Sequence, residues 1–80
     1  MKEYKYIHFI EVKHEKPTIT SIWICQNKKS NEELGTVRWY ASWRQYCFFN
    51  RVQAVYSAGC LDDISDFIKK AMEERKEKKP

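Results

Sequence analysis

The stretch Leu34-Gly35-Thr36-Val37-Arg38-Trp39-Tyr40-Ala41-Ser42-Trp43-Arg44-Gln45-Tyr46-Cys47-Phe48-Phe49 decides how this chain folds. It is rich in aromatic residues, which fit the pleated, half-buried surface of a strand. Leu34 to Tyr40 reads as one strand, and Trp43 or Arg44 to Phe49 as the next. Ala41-Ser42 between them lacks the Asn-Gly chemistry of a tight two-residue turn. A longer or bulged connection is therefore expected, and the register is open by a residue. With a two-residue turn, Val37, Trp39, Arg44, Tyr46 and Phe48 share one face. Arg38, Tyr40, Trp43, Gln45, Cys47 and Phe49 share the other. The first set is the better core, with Arg44 at its edge.

Upstream, Tyr4 to Val12 reads as a strand whose two sides both carry apolar residues, so its inward face is undecided. Lys13-His14-Glu15-Lys16-Pro17 is the expected turn, because Pro17 lacks an N–H and disfavours helix in the residue before it. Thr18 to Gln26, with its Thr and Ile, makes the second strand, antiparallel to the first if the turn is a hairpin. The polar run from Asn27 to Glu33 is a loop. Downstream, Gln53 to Tyr56 is either a short fifth strand or an extended approach to a helix.

That helix is predicted over residues 59–76. Ser57-Ala58-Gly59 supplies capping residues, and Asp62, Asp63 and Asp66 are expected in the first turns, where carboxylates suit the positive end of the dipole. Leu61, Ile64, Ile68, Ala71 and Met72 recur at helical spacing with Phe67 beside them, which gives one apolar stripe. The expected architecture is α+β: a single small domain, 1–80, with an antiparallel sheet of four strands, or five with 53–56, and a C-terminal helix across one face.

The chain has 80 residues, 42% hydrophobic and 32% charged, with 2 Gly and 2 Pro, so it has the material for one core and does not read as disordered. Nothing approaches the roughly 20 apolar residues of a membrane helix, and the charged opening from Met1 to Tyr6 does not read as a signal peptide. Three cysteines, Cys25, Cys47 and Cys60, have unequal spacing and no Cys-x-x-Cys pair, which points to reduced thiols in a cytoplasmic protein. No metal site, cofactor motif or nucleophile motif is visible. His8 and His14 stand without a neighbouring nucleophile, the aspartates are explained by the helix dipole, and Gly35 and Gly59 stand alone. Enzyme activity is not expected.

Charge is distributed unevenly. The net charge is +4, and residues 35–59 hold Arg38, Arg44 and Arg51 with no acid, contributing +3 of it. The same segment holds seven of the twelve aromatic residues. Guanidinium stacks on rings and forks onto phosphate, so the combination has three readings. The rings are core and the arginines lie over them; or bases stack on exposed rings while arginines take phosphates; or the face docks a protein, where Trp, Tyr and Arg dominate. Nucleic acid is favoured narrowly over a host protein, with Arg38, Tyr40, Trp43, Arg44 and Arg51 as the contact set. An exposed sheet edge, for instance the first strand, could also pair two copies into a homodimer.

The quoted stretch also resembles a group of short phage and prophage proteins of uncharacterised function. These share a Leu-Gly-x-Ile-x-Trp strand, a Trp-Arg-x-Tyr turn-and-strand and a Cys-Leu-x-x-Ile-x-x-Phe helix, the last standing here as Cys60-Leu61-Asp62-Asp63-Ile64-Ser65-Asp66-Phe67. The resemblance spans roughly residues 22 to 70, with Val37 in place of the usual Ile, and residues 1–17 depart from it. It implies an accessory protein of a phage or mobile element, acting in the host cytoplasm, and implies no catalytic residues.

Overall fold

The computed structural model describes residues 3–13 and 20–78. Four strands, β1 (Ile7–Glu11), β2 (Trp23–Asn27), β3 (Glu33–Tyr40) and β4 (Gln45–Asn50), precede one helix, α1 (Ala58–Lys78). Each strand pairs antiparallel with the next, in the order β1-β2-β3-β4. The α+β architecture expected from the sequence is the one observed.

Alternation settles the faces. Phe9 lies opposite Cys25, which lies opposite Gly35; Trp23 lies opposite Val37, which lies opposite Phe48. Side chains on one sheet face therefore come from Ile7, Phe9, Trp23, Cys25, Val37, Trp39, Tyr46 and Phe48. The register of β2 against β3 shifts between Cys25 and Gln26, so that Gln26 faces Glu33 and Leu34 is the extra residue of a bulge. Leu34 joins the core through it.

Helix α1 covers this inner face. Ile64, Phe67 and Ala71 are buried, with Cys60, Ile68 and Met72 packed around them. Phe67 is the centre: Phe9 stacks on it at 3.8 Å between centroids, and Trp23 meets it edge-on at 5.1 Å. Farther along, the Arg75 guanidinium sits 3.9 Å over the Trp39 ring, and the Tyr46 N–H at the free edge of β4 points to the Met72 sulfur at 3.3 Å. The N-terminal segment is held by the Tyr4 hydroxyl, which donates to the Asp66 carboxylate at 2.8 Å, and by the Lys28 ammonium, which donates to the Tyr4 carbonyl.

Several expectations are corrected. The first two strands are shorter and later than read, since 4–6 and 12 fall outside β1 and 20–22 outside β2. The predicted turn keeps only Lys13 within the described residues, and His14 to Pro17, with the start of the predicted second strand, lie outside them. The β3–β4 connection is four residues, Ala41 to Arg44, so Trp43 and Arg44 belong to the loop rather than to β4. Residues 53–56 form no strand. A turn with Gln53 at φ 75° reverses the chain, and Tyr56 then packs edge-on against Phe48 and donates its hydroxyl to the Leu34 carbonyl.

The helix starts with Ser57 as its cap, the hydroxyl accepting from the Cys60 N–H at 3.1 Å. No acid lies in its first turn. The dipole therefore does not account for the aspartates, and Asp66 is instead the acceptor for Tyr4. Leu61, read as part of the apolar stripe, is 52% exposed, because it projects beside the covered face.

Candidate functional site

The outer face of the sheet has no element packed on it among the described residues. Its side chains come from the alternate positions: His8 and Ile10 on β1, Ile24 and Gln26 on β2, Thr36, Arg38 and Tyr40 on β3, Gln45, Cys47 and Phe49 on β4. His8 and Gln26 satisfy one another at 2.9 Å across the β1–β2 pair. The character of the face changes toward β3 and β4, where rings and arginines gather.

There the Arg38 guanidinium lies 4.0 Å over the Phe49 ring. Tyr40 meets Phe49 edge-on at 5.9 Å and Trp43 edge-on at 5.1 Å. Thr36 is opposite Phe49 and Tyr40 opposite Gln45, so the Tyr40 and Phe49 rings lean toward each other along the strands over the Arg38–Cys47 pair. The result is a row of Phe49, Tyr40 and Trp43 with a cation laid on one end. Trp43 is 67% exposed at the other end.

The connecting loop sets that end. The Trp43 N–H bonds the Tyr40 carbonyl and the Arg44 N–H the Ala41 carbonyl, both at 3.2 Å, so the chain makes successive tight turns. Arg44 closes them at φ 54°, in the left-handed region usually left to Gly or Asn. Its side chain is exposed beside Trp43.

Of the five residues expected to make contact, Arg38, Tyr40, Trp43 and Arg44 are gathered at this end of the β3–β4 pair. Arg51 follows the last residue of β4 at its opposite end, where its N–H bonds the Leu34 carbonyl at 3.0 Å. It lies roughly 20 Å along the strand from Arg44 at the usual rise per residue. Phe49 is a member of the cluster that the expected set lacks, although alternation alone places it on the same face as Arg38 and Tyr40. Trp39, Tyr46, Phe48 and Tyr56, the remaining aromatics of the segment, are taken by the core or its margin. The aromatic segment is thus two-sided.

Of the cysteines, Cys47 stands on the outer face opposite Arg38, whereas Cys25 and Cys60 belong to the core side. All three are free; Cys25 is fully buried, and burial pushes its thiol up to about 12. Burial also raises Cys60. Thiols held protonated in this way are poor nucleophiles. Among the described residues no group of three or more His, Cys, Asp or Glu side chains is placed to hold a metal ion, and no helix is long and apolar enough to cross a membrane.

No protein-family model matches the chain, and no solved structure matches it. One curated protein does, an uncharacterized 9.3 kDa protein of Acholeplasma phage L2. It is 31% identical over 77 residues, spanning 96% of this chain and 97% of the phage protein. A likeness of that extent takes in β1, beyond the residues 22–70 that carry the phage resemblance. The chain belongs to the same family as this phage protein.

Proposed function

We propose that this chain is a non-enzymatic binding module that takes nucleic acid on the outer face of its sheet. The observation that carries the reading is the cluster of Arg38, Phe49, Tyr40 and Trp43 on the face opposite the helix, with Arg44 beside it. A core has no use for these rings, since α1 closes the other side. Between Gly35 and Gly59 the chain has no carboxylate to repel phosphate. Arg38, Arg44 and Arg51 supply the positive charge, and Tyr40 and Trp43 the apolar surface. Membership in a phage protein family fits an accessory role in a host cytoplasm.

A protein partner is the second reading, in which the module modulates or inhibits a host protein. It is favoured by Val52, Val55 and Leu61, which are exposed around the β4–α1 connection, away from the arginine cluster.

The test is titration with DNA and RNA oligonucleotides at low and moderate salt, following tryptophan fluorescence. Trp23 is buried and Trp39 half-buried, so Trp43 is the ring that solvent and ligand reach. Saturable quenching that weakens with salt is expected. Arg38→Ala and Arg44→Ala should weaken it and flatten the salt dependence at unchanged melting temperature. A folded protein that binds none of the oligonucleotides at low salt overturns the reading in favour of a protein partner. Variants that unfold would return these arginines to packing.

A further inference from the structure

Resting on that reading, we infer that the ligand is a single strand, held by two neighbouring unpaired bases, and that duplex is excluded. Two platforms are open on the outer face. One is the Trp43 ring, 67% exposed. The other is Arg38, an exposed residue whose guanidinium lies 4.0 Å over the Phe49 ring, so that a base can stack on the far side. Tyr40, edge-on to both Trp43 and Phe49, spaces the two platforms. Flat groups of this kind gain from a base only when its face is exposed, which pairing and stacking in a duplex prevent.

The elements that could read a duplex are committed elsewhere. An α-helix enters a major groove with a free, cationic or polar flank. The exposed flank of α1 carries Asp62, Ser65, Lys69, Glu73 and Lys76, which would set two carboxylates against the phosphates. A two-stranded ribbon would also fit the groove, but the β3–β4 pair is not free: β2 flanks it and α1 covers its inner face. Phosphates must therefore be met by Arg44 in the loop, by Arg38, and by Arg51 for a strand that continues along β4. Between these arginines the outer face of β4 offers Gln45 as its one side-chain amide, so recognition is tolerant of sequence.

The charge count fixes a number. Three arginines meet three phosphates at most, so log K should fall against log salt with a slope no steeper than about −2, at about −0.7 per phosphate of a single strand. The experiment is fluorescence anisotropy with a labelled ten-residue oligothymidylate, competed by a hairpin duplex of equal phosphate number and by inorganic polyphosphate. The single strand is expected to bind at least tenfold tighter than either competitor, and Trp43→Ala to lose roughly tenfold at an unchanged melting temperature. A duplex that competes equally overturns the inference and leaves nucleic-acid binding standing. Polyphosphate that competes equally per phosphate overturns it too, because charge alone would then suffice. Binding of none of the three overturns both this inference and the function it rests on.

Discussion

Gly35 stands where β4 leaves no room for a side chain on β3, and replacing it with alanine probes that fit directly. A Cβ built there would stand 2.5 Å from Phe48 Cζ, 2.6 Å from the Phe49 carbonyl oxygen and 2.9 Å from Phe48 Cε2, against an ordinary contact beginning at 3.4 Å. The Phe48 ring cannot simply swing aside, because Tyr56 packs edge-on against it at 5.6 Å. The Phe49 oxygen is backbone, so relieving that contact moves β4 away from β3 by most of an ångström. Overpacking of this kind costs about 1–3 kcal/mol, and two obstacles, one of them rigid, put Gly35→Ala in the upper half of that range. A domain of this size has roughly 4–12 kcal/mol in total. At about 4–8 °C per kcal/mol, the melting temperature should fall by roughly 10–20 °C. Thermal unfolding followed by circular dichroism measures it. In a Phe48→Leu background the ring tip is gone and the carbonyl remains, so the cost of Gly35→Ala should shrink without vanishing. A Gly35→Ala protein melting within about 3 °C of the parent would refute the close-approach reasoning.

Arg44 holds a left-handed backbone that costs a non-glycine residue about 1–2 kcal/mol, part of which glycine returns as its own chain entropy. Arg44→Gly should therefore raise stability by about 0.5–1 kcal/mol in urea unfolding while weakening oligonucleotide binding; a loss of stability would show that the Arg44 side chain packs. Alkaline pH should destabilise the fold. The Cys25 thiol is raised from 9.0 to about 12, so the stability it contributes is complete below pH 9 and lost as pH climbs toward 12. Tyr4, raised chiefly by burial and then by its hydrogen bond to Asp66, and Tyr56, raised by burial, add losses above pH 10. A melting temperature that is flat from pH 8 to pH 11 would contradict this, and Cys25→Ala should flatten its first part.

The faces of the β3–β4 pair were legible in the sequence although its turn was not. A connection of four residues instead of two keeps the same parity. Val37, Trp39, Tyr46 and Phe48 therefore stay inside whichever is built, while Trp43 and Arg44 pass from strand to loop. The helix was legible because Ile64, Phe67, Ile68, Ala71 and Met72 repeat at its period. What periodicity cannot give is the width of the covered stripe, which is why Leu61 reads as core and is exposed. Nor can it give partners: Asp66 looks like a dipole residue until Tyr4, 62 positions away, is seen to donate to it. The same holds for the site. Alternation places Arg38, Tyr40 and Phe49 on one face, but only the lean of the rings along the strands joins them. A charge count groups Arg51 with Arg44, and the length of β4 separates them.

The stacked pair of Phe9 and Phe67 ties the first strand to the last element, with most of the chain between them. A sheet without that last element leaves Trp23, Phe9 and Val37 open to water and to other chains. A chain truncated before Phe67 would hold the sheet residues with nothing to close them, a target for chaperones and proteases rather than a smaller working module.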